Sequence, residues 1–292
     1  MQIIANGLIA GLTIVVLALA FVVVYLPTRV FHLALGGVYA IVPFIAWSCW
    51  QAGWPWYWAI TVAIITGVLI SLAGELFNHA PLELKQASWG AHLVSSLGIY
   101  IIIVQIVALI WGTESKFLRR GVDAVTAIGN IRLTQTQMVT AVVCVGAIAL
   151  FYIWLKSTNL GLQFRAMADN PKQFALQGYN ILQLRRIAFG ISGLLGAIAS
   201  LLVAYDVGFD PNTGLVAVLL AVVAALIGGR QSFWGALIGG ILLGIVRSQA
   251  VWLLDARWQD AITFMILAIF LYLRPNGILG HKSRLESEIR NR

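Results

Sequence analysis

The sequence predicts an all-α fold, a polytopic transmembrane helix bundle, and three observations carry that prediction. Of the 292 residues, 60% are hydrophobic and 10% charged, against about 25% charged in a soluble globular domain. The apolar residues gather in runs of roughly 17 to 24, the length a helix needs to cross the hydrocarbon of a bilayer. The basic residues fall in the gaps between those runs, as they do where loops sort to the two sides of a membrane. A helix in lipid satisfies its own backbone groups and turns apolar side chains outward, so the chain needs no polar coat. The formal charge of +8 is spread over many short gaps and forms no basic patch, which excludes nucleic acid as the partner.

Taken in order, the candidate spans are residues 3–26, 33–52, 56–77, 92–112, 137–156, 187–206, 214–230, 234–254 and 258–274. That makes about nine, in a range of roughly 8–10, and 214–230 and 234–254 lie close enough to merge or re-enter. The first run is too long for a signal-peptide core and lacks a basic leading region and a small-residue cleavage site, so it reads as a mature span. Cys49 and Cys144 lie inside apolar runs without metal-ligand spacing and read as packed thiols.

Charge fixes the expected orientation. With the C-terminus inside, the inner segments hold Arg29, Lys85, Lys156, Arg165, Lys172, Arg185, Arg186, Arg230, Arg274, Lys282, Arg284, Arg290 and Arg292, which is 13 of the 19 cations. The outer segments hold five, Lys116, Arg119, Arg120, Arg132 and Arg257, and Arg247 falls within a span. Cytoplasmic loops collect Lys and Arg, so the N-terminus is expected outside and the C-terminus inside. Trp50, Trp54, Trp56, Trp58, Trp111, Trp252 and Trp258 then fall near outer ends, and Trp89, Trp154 and Trp234 near inner ones, as an aromatic belt requires.

Two connections exceed a turn. The outer stretch 112–137 ends in Ile131-Arg132-Leu133-Thr134, which alternates like a short strand and suggests an external hairpin. The inner stretch 157–186 has helix-start chemistry at Asn159 and at Asp169 to Pro171 and a stop at Gly178. It predicts one or two short amphipathic helices under the membrane domain. A faint internal echo links 7–42 with 214–246, each returning through a Gly-Gly pair, Gly36-Gly37 and Gly239-Gly240. Repeats are common in transporters, and small residues at such positions are equally ordinary packing devices.

Few residues can carry chemistry. A chain that hydrolysed ATP would need a loop such as G-x-x-x-x-G-K-[ST], and no Gly-Lys pair occurs. His32, His79, His92 and His281 are scattered near predicted inner ends and read as solvated interfacial groups. Asp255 and Asp260 flank the last outer turn and read as hydrated, and Glu75 reads as a carboxylate snorkelling to the inner interface. Arg247 stands about two turns inside an apolar run, where a cation costs about 2.5–3.5 kcal/mol. It therefore lines a path, pairs with a carboxylate, or snorkels.

The run GGRQSFWGALIGGILLGIVRSQ from Gly228, and the last span with its Arg274-Pro275-Asn276-Gly277-Ile278-Leu279-Gly280 ending, resemble the permease family of branched-chain amino acid importers of the ATP-binding-cassette class. So do Pro81-Leu82, Ser96-Leu97-Gly98 and FGISGLLGAIASLLVA, and the likeness covers about residues 5–280. Gly161, Arg165, Ala166, Asp169, Asn170, Ala175 and Gly178 match the family segment that docks on the ATPase. The resemblance implies a permease domain over 1–280, a charged cytoplasmic tail over 281–292, and residence in the cell inner membrane. It implies as partners two ATPase subunits, a second permease subunit (paralogue or copy) and an extracytoplasmic solute-binding protein. No cofactor is expected on this chain, since ATP and Mg would sit on the ATPase subunits. The sequence departs from the family at His32-Leu33-Ala34-Leu35-Gly36-Gly37, where many members carry Asn-Phe-Ala-His-Gly-Glu, and at Arg247, where many carry Glu. Arg247, Gly36 and Gly37 are the candidates for the translocation path, and urea or short amides stand beside branched-chain amino acids as cargo. A self-sufficient channel or secondary carrier is the competing class, and it leaves the long inner segment without a use.

Overall fold

The structure is a computed structural model that describes residues 1–119, 121, 123–128, 131–229, 232–274 and 277–279. Arg120, Arg230, Pro275, Asn276, Gly280, His281 and the tail 281–292 lie outside the described residues. Each expected span is a helix: α1 (Gln2–Thr28), α2 (Leu35–Gln51), α3 (Trp56–Gly74), α5 (Trp89–Trp111), α6 (Gln135–Ser157), α9 (Ile181–Asp206), α10 (Thr213–Gly228), α11 (Phe233–Leu253) and α12 (Gln259–Leu273). α3 runs through a π-helical turn, Glu75–His79, into a short α4 (Ala80–Leu84). Among the described residues seven helices are long and apolar enough to cross a membrane. α2 has 17 residues and α10 has 16, or roughly 24–26 Å at 1.5 Å per residue, short of a full crossing of about 30 Å. α10 and α11 are separate helices and do not merge.

Burial in the bundle does not simply follow hydropathy, since α5 exceeds α9 in mean hydropathy, 2.6 against 2.2, yet is the more exposed. α1 and α9 are central, with 67% and 61% of their apolar windows buried, whereas α12 has only 6% buried. Leu109, Val142 and Leu150 on α5 and α6 are widely exposed, which costs nothing where lipid tails replace water. α1 approaches α11 at Gly7 and Gly11, and a Cβ on Gly244 would overlap the Gly11 Cα. Small residues admit this spacing, and dispersion and packing then hold helices together where no hydrophobic drive exists between them.

The expected hairpin is present as β1 (Val125–Ile128) antiparallel to β2 (Ile131–Thr134), with Val125 opposite Thr134. Thr134 caps α6, accepting from Gln137 N at 3.1 Å, while Gln137 Oε1 accepts from Thr134 N at 3.2 Å, the reciprocal capping box. Gln2 ties α1 to the hairpin by two 2.7 Å bonds to the backbone of Arg132. Hairpin and inner segment sit at opposite ends of the 23-residue α6, about 34 Å apart.

Candidate functional site

The 157–186 stretch folds as two short helices, α7 (Asn159–Asp169) and α8 (Pro171–Leu176), ahead of α9. Polar residues that cannot propagate a helix start each one: Thr158 Oγ1 accepts from Gly161 N at 3.0 Å, and Asn170 Oδ1 from Gln173 N at 3.1 Å. Asn180 caps α9 in the same way. The α7 cap is thus Thr158, one residue before the expected Asn159. Gly161, Phe164 and Met167 are buried at a three-residue spacing, and Phe164 meets Trp154 edge-on at 5.3 Å. Gly161 belongs to this inward face, because a Cβ there would run into the carbonyls of Trp154 and Leu155. Arg165, Ala166, Asp169, Asn170, Ala175 and Gly178 are all exposed. Leu176 is 88% exposed beside them, so one continuous face of mixed charge and apolar groups hangs from the end of the bundle.

Two readings from the sequence, one of Glu75 and one of the histidines, are corrected by the structure. Glu75 does not snorkel. It is 0% exposed and takes the Arg185 guanidinium, Nε at 2.6 Å on Oε1 and Nη2 at 3.3 Å on Oε2. Arg185 Nη1 donates to Glu83 Oε2 at 2.9 Å. The histidines are not solvated either: His32 and His79 are fully buried and His92 is 5% exposed. His79 and His92 stack with their Nδ1 atoms 3.2 Å apart, and His32 meets Phe189 edge-on at 4.7 Å. The reason is common to both. A carboxylate and a guanidinium that satisfy one another need no water, and aromatic rings fill the space around them. His281 lies outside the described residues.

At the hairpin end, Arg247 Nη1 donates to Asp260 Oδ1 and to Thr263 Oγ1, each at 2.9 Å. Asp260 is therefore a partner and not merely a hydrated residue, although it stays half exposed. An open groove beside the pair is lined by Asn6, Gly244, Arg247, Ser248, Trp252 and Gln259. Gly36 and Gly37 face other helices: a Cβ on Gly36 would lie 3.1 Å from Gly214 O and on Gly37 2.8 Å from Ile103 Cδ1. They close the junction where α2 and α10 both begin inside the bundle. In the outer loop, Asp123 is held below the usual carboxylate range, chiefly by its bond with the Thr136 side chain, and it also pairs with Arg119 at 3.1 Å.

The buried inner cluster was missed from the sequence, where Glu75 and Arg185 are 110 residues apart. One signal was available. Two charges of opposite sign next to apolar runs at the same expected membrane side are candidates for a pair, and Arg185 was counted only as a loop cation.

Fold and site together define a multi-pass membrane transport subunit with an exposed segment at one end and no nucleotide loop of its own. The family model for the branched-chain amino acid transport system / permease component matches residues 3–271, and the chain belongs to that family. It is 26% identical to the high-affinity branched-chain amino acid transport system permease protein LivH of Escherichia coli K12, covering 94% of both chains. Identity to BraD of Pseudomonas aeruginosa is also 26%, over 96% of this chain and 95% of the relative. The autoinducer 2 import system permease protein LsrC of Photorhabdus laumondii is 24% identical over 89% of this chain and 77% of its own. The solved structure of PsaBC from Streptococcus pneumoniae in complex with Fab shares the fold, with a TM-score of 0.53 at 13% identity over 94% of this chain and 93% of that one.

Proposed function

We propose that this chain is one permease subunit of an ATP-binding-cassette importer that moves branched-chain amino acids across the cell inner membrane by alternating access. Two ATPase subunits carry ATP and Mg, a second permease subunit completes the membrane part, and an extracytoplasmic binding protein delivers the cargo. The observation that carries this reading is the exposed face of α7 and α8, fixed to α6 by Phe164 and Trp154 while Arg165, Asp169 and Leu176 point away from the bundle. A self-contained carrier has no use for such a face. In this reading α7 and α8 lie inside, the hairpin lies outside, and the path passes Arg247 at the outer end and Gly36 and Gly37 at the junction of α2 with α10.

The test is reconstitution of the chain with its partner subunits, with leucine and urea uptake measured side by side. Leucine uptake is expected; urea uptake without leucine uptake would reassign the cargo to short amides. Replacing Arg165 and Asp169 together by Ala should reduce ATPase retention and uptake by about tenfold or more, as loss of docking anchors does, with the membrane domain still folded. Undiminished transport in that variant would remove the docking assignment.

A further inference from the structure

We propose that Arg185 is a positioning residue of the transport cycle, the clamp through which movement of α7 and α8 reaches the membrane helices. The inference rests on the importer reading and names a role that reading does not contain. Arg185 lies in the second turn of α9, directly after the docking segment. The link between them is stiff: Phe174 of α8 is buried and stacks on Tyr179 at 4.7 Å, and Asn180 caps α9 at once, accepting from Gln183 N at 3.1 Å. The short connection from Leu176 to Ile181 is the route by which a displacement of α8 reaches the first turns of α9.

From there the guanidinium grips two elements. Glu75 opens the π-helical turn between α3 and α4, and Glu83 sits on α4. The planar fork of Arg, with its two bonds to Glu75 and one to Glu83, fixes orientation as well as distance, which a point charge would not. A π-helical turn inserts an extra residue in the ladder and is frequent at functional sites, and the clamp holds α3 at such a turn. Next to it, Ser71 Oγ donates to Phe189 O at 2.7 Å, and His32 packs on Phe189. His32 belongs to the connection that delivers α2, whose Ala34 N donates to Ser96 Oγ at 2.9 Å and whose Gly36 touches Gly214 of α10. One contiguous network thus joins the docking segment to the start of α2.

The experiment uses the whole reconstituted complex and reads cargo moved per ATP hydrolysed. Because removal of one buried charge strands the other, the informative variant is the double apolar replacement Glu75→Leu/Arg185→Met, which keeps volume and leaves no unpaired buried charge. If the cluster only packs, this variant should fold, retain the ATPases and transport with wild-type coupling. The clamp predicts that it folds, retains the ATPases and hydrolyses ATP while cargo per ATP falls by roughly tenfold or more, within the range of allosteric couplings. Arg185→Lys, which keeps the charge without the fork, should fall between the two. Wild-type coupling in the double variant overturns the clamp. Loss of ATPase retention by a folded double variant also overturns it, since the cluster would then build the docking face itself. A wild-type chain that retains no ATPase sinks the importer reading, and the clamp with it.

Discussion

At the scale of single residues the two buried or half-buried arginines behave differently because their surroundings differ. Arg185 faces a carboxylate that is 0% exposed, so replacing one partner alone should cost about 3–5 kcal/mol. Arg247, itself 12% exposed, faces Asp260, whose side chain is 55% exposed, so losing the arginine strands no fully buried carboxylate. Replacing Arg247 therefore leaves a carboxylate that water can reach, and the fold should survive the change. Its guanidinium borders the outer groove with Asn6, Ser248 and Gln259 and suits a carboxylate through charge-assisted hydrogen bonds. Arg247→Gln should change the uptake rate or the preference among amino acids, and Arg247→Lys should preserve more of it. Wild-type uptake by both would leave Arg247 a tie between α11 and α12 and nothing more. The sequence singled out Arg247 by its depth in an apolar run; it had no means of naming Asp260 and Thr263, which approach from the next helix.

Among the helices, the α1–α11 contact is the tightest test of how small residues set spacing. A side chain at Gly244 would meet backbone atoms of Gly7 and Gly11, which have no rotamer by which to yield, so the helices themselves must part. Gly244→Leu should therefore destabilise by about 1–3 kcal/mol or more, whereas Gly98→Leu, with nothing within 4 Å of its Cβ position, should change little. Thermal unfolding of the two variants in detergent checks this, and equal midpoints would contradict the packing argument. The glycines were legible as packing devices, but which helices they join was not. The helix start at Asn170 and the Gly178 stop, at φ 83°, were readable because capping is local chemistry within three residues.

For the molecule as a whole, orientation is the property that the bundle alone leaves open and the distribution of charge predicts. With α7–α8 inside, a membrane-impermeant thiol reagent should label Thr126→Cys only from outside and Leu176→Cys only from inside, in a background with Cys49 and Cys144 replaced by Ala. Ser283→Cys, in the tail outside the described residues, should also label only from inside. Reversed labelling would invert the topology and place the docking segment on the wrong side for an ATPase.

The amino-acid sequence by itself determined that the chain is a helical membrane protein, where its spans lie, and that its 157–186 segment breaks into short capped helices. Those properties follow from hydropathy and capping, which are settled within one span or one turn. Only the tertiary structure decided which helices are central. Apolar surface faces lipid or protein at equal cost, so α5 and α9 have similar mean hydropathy, 2.6 and 2.2, while their burial is 22% and 61%. Tertiary structure also decided the fate of the charges. Whether Glu75 snorkels or pairs depends on Arg185 arriving from 110 residues away, and no local rule carries that distance.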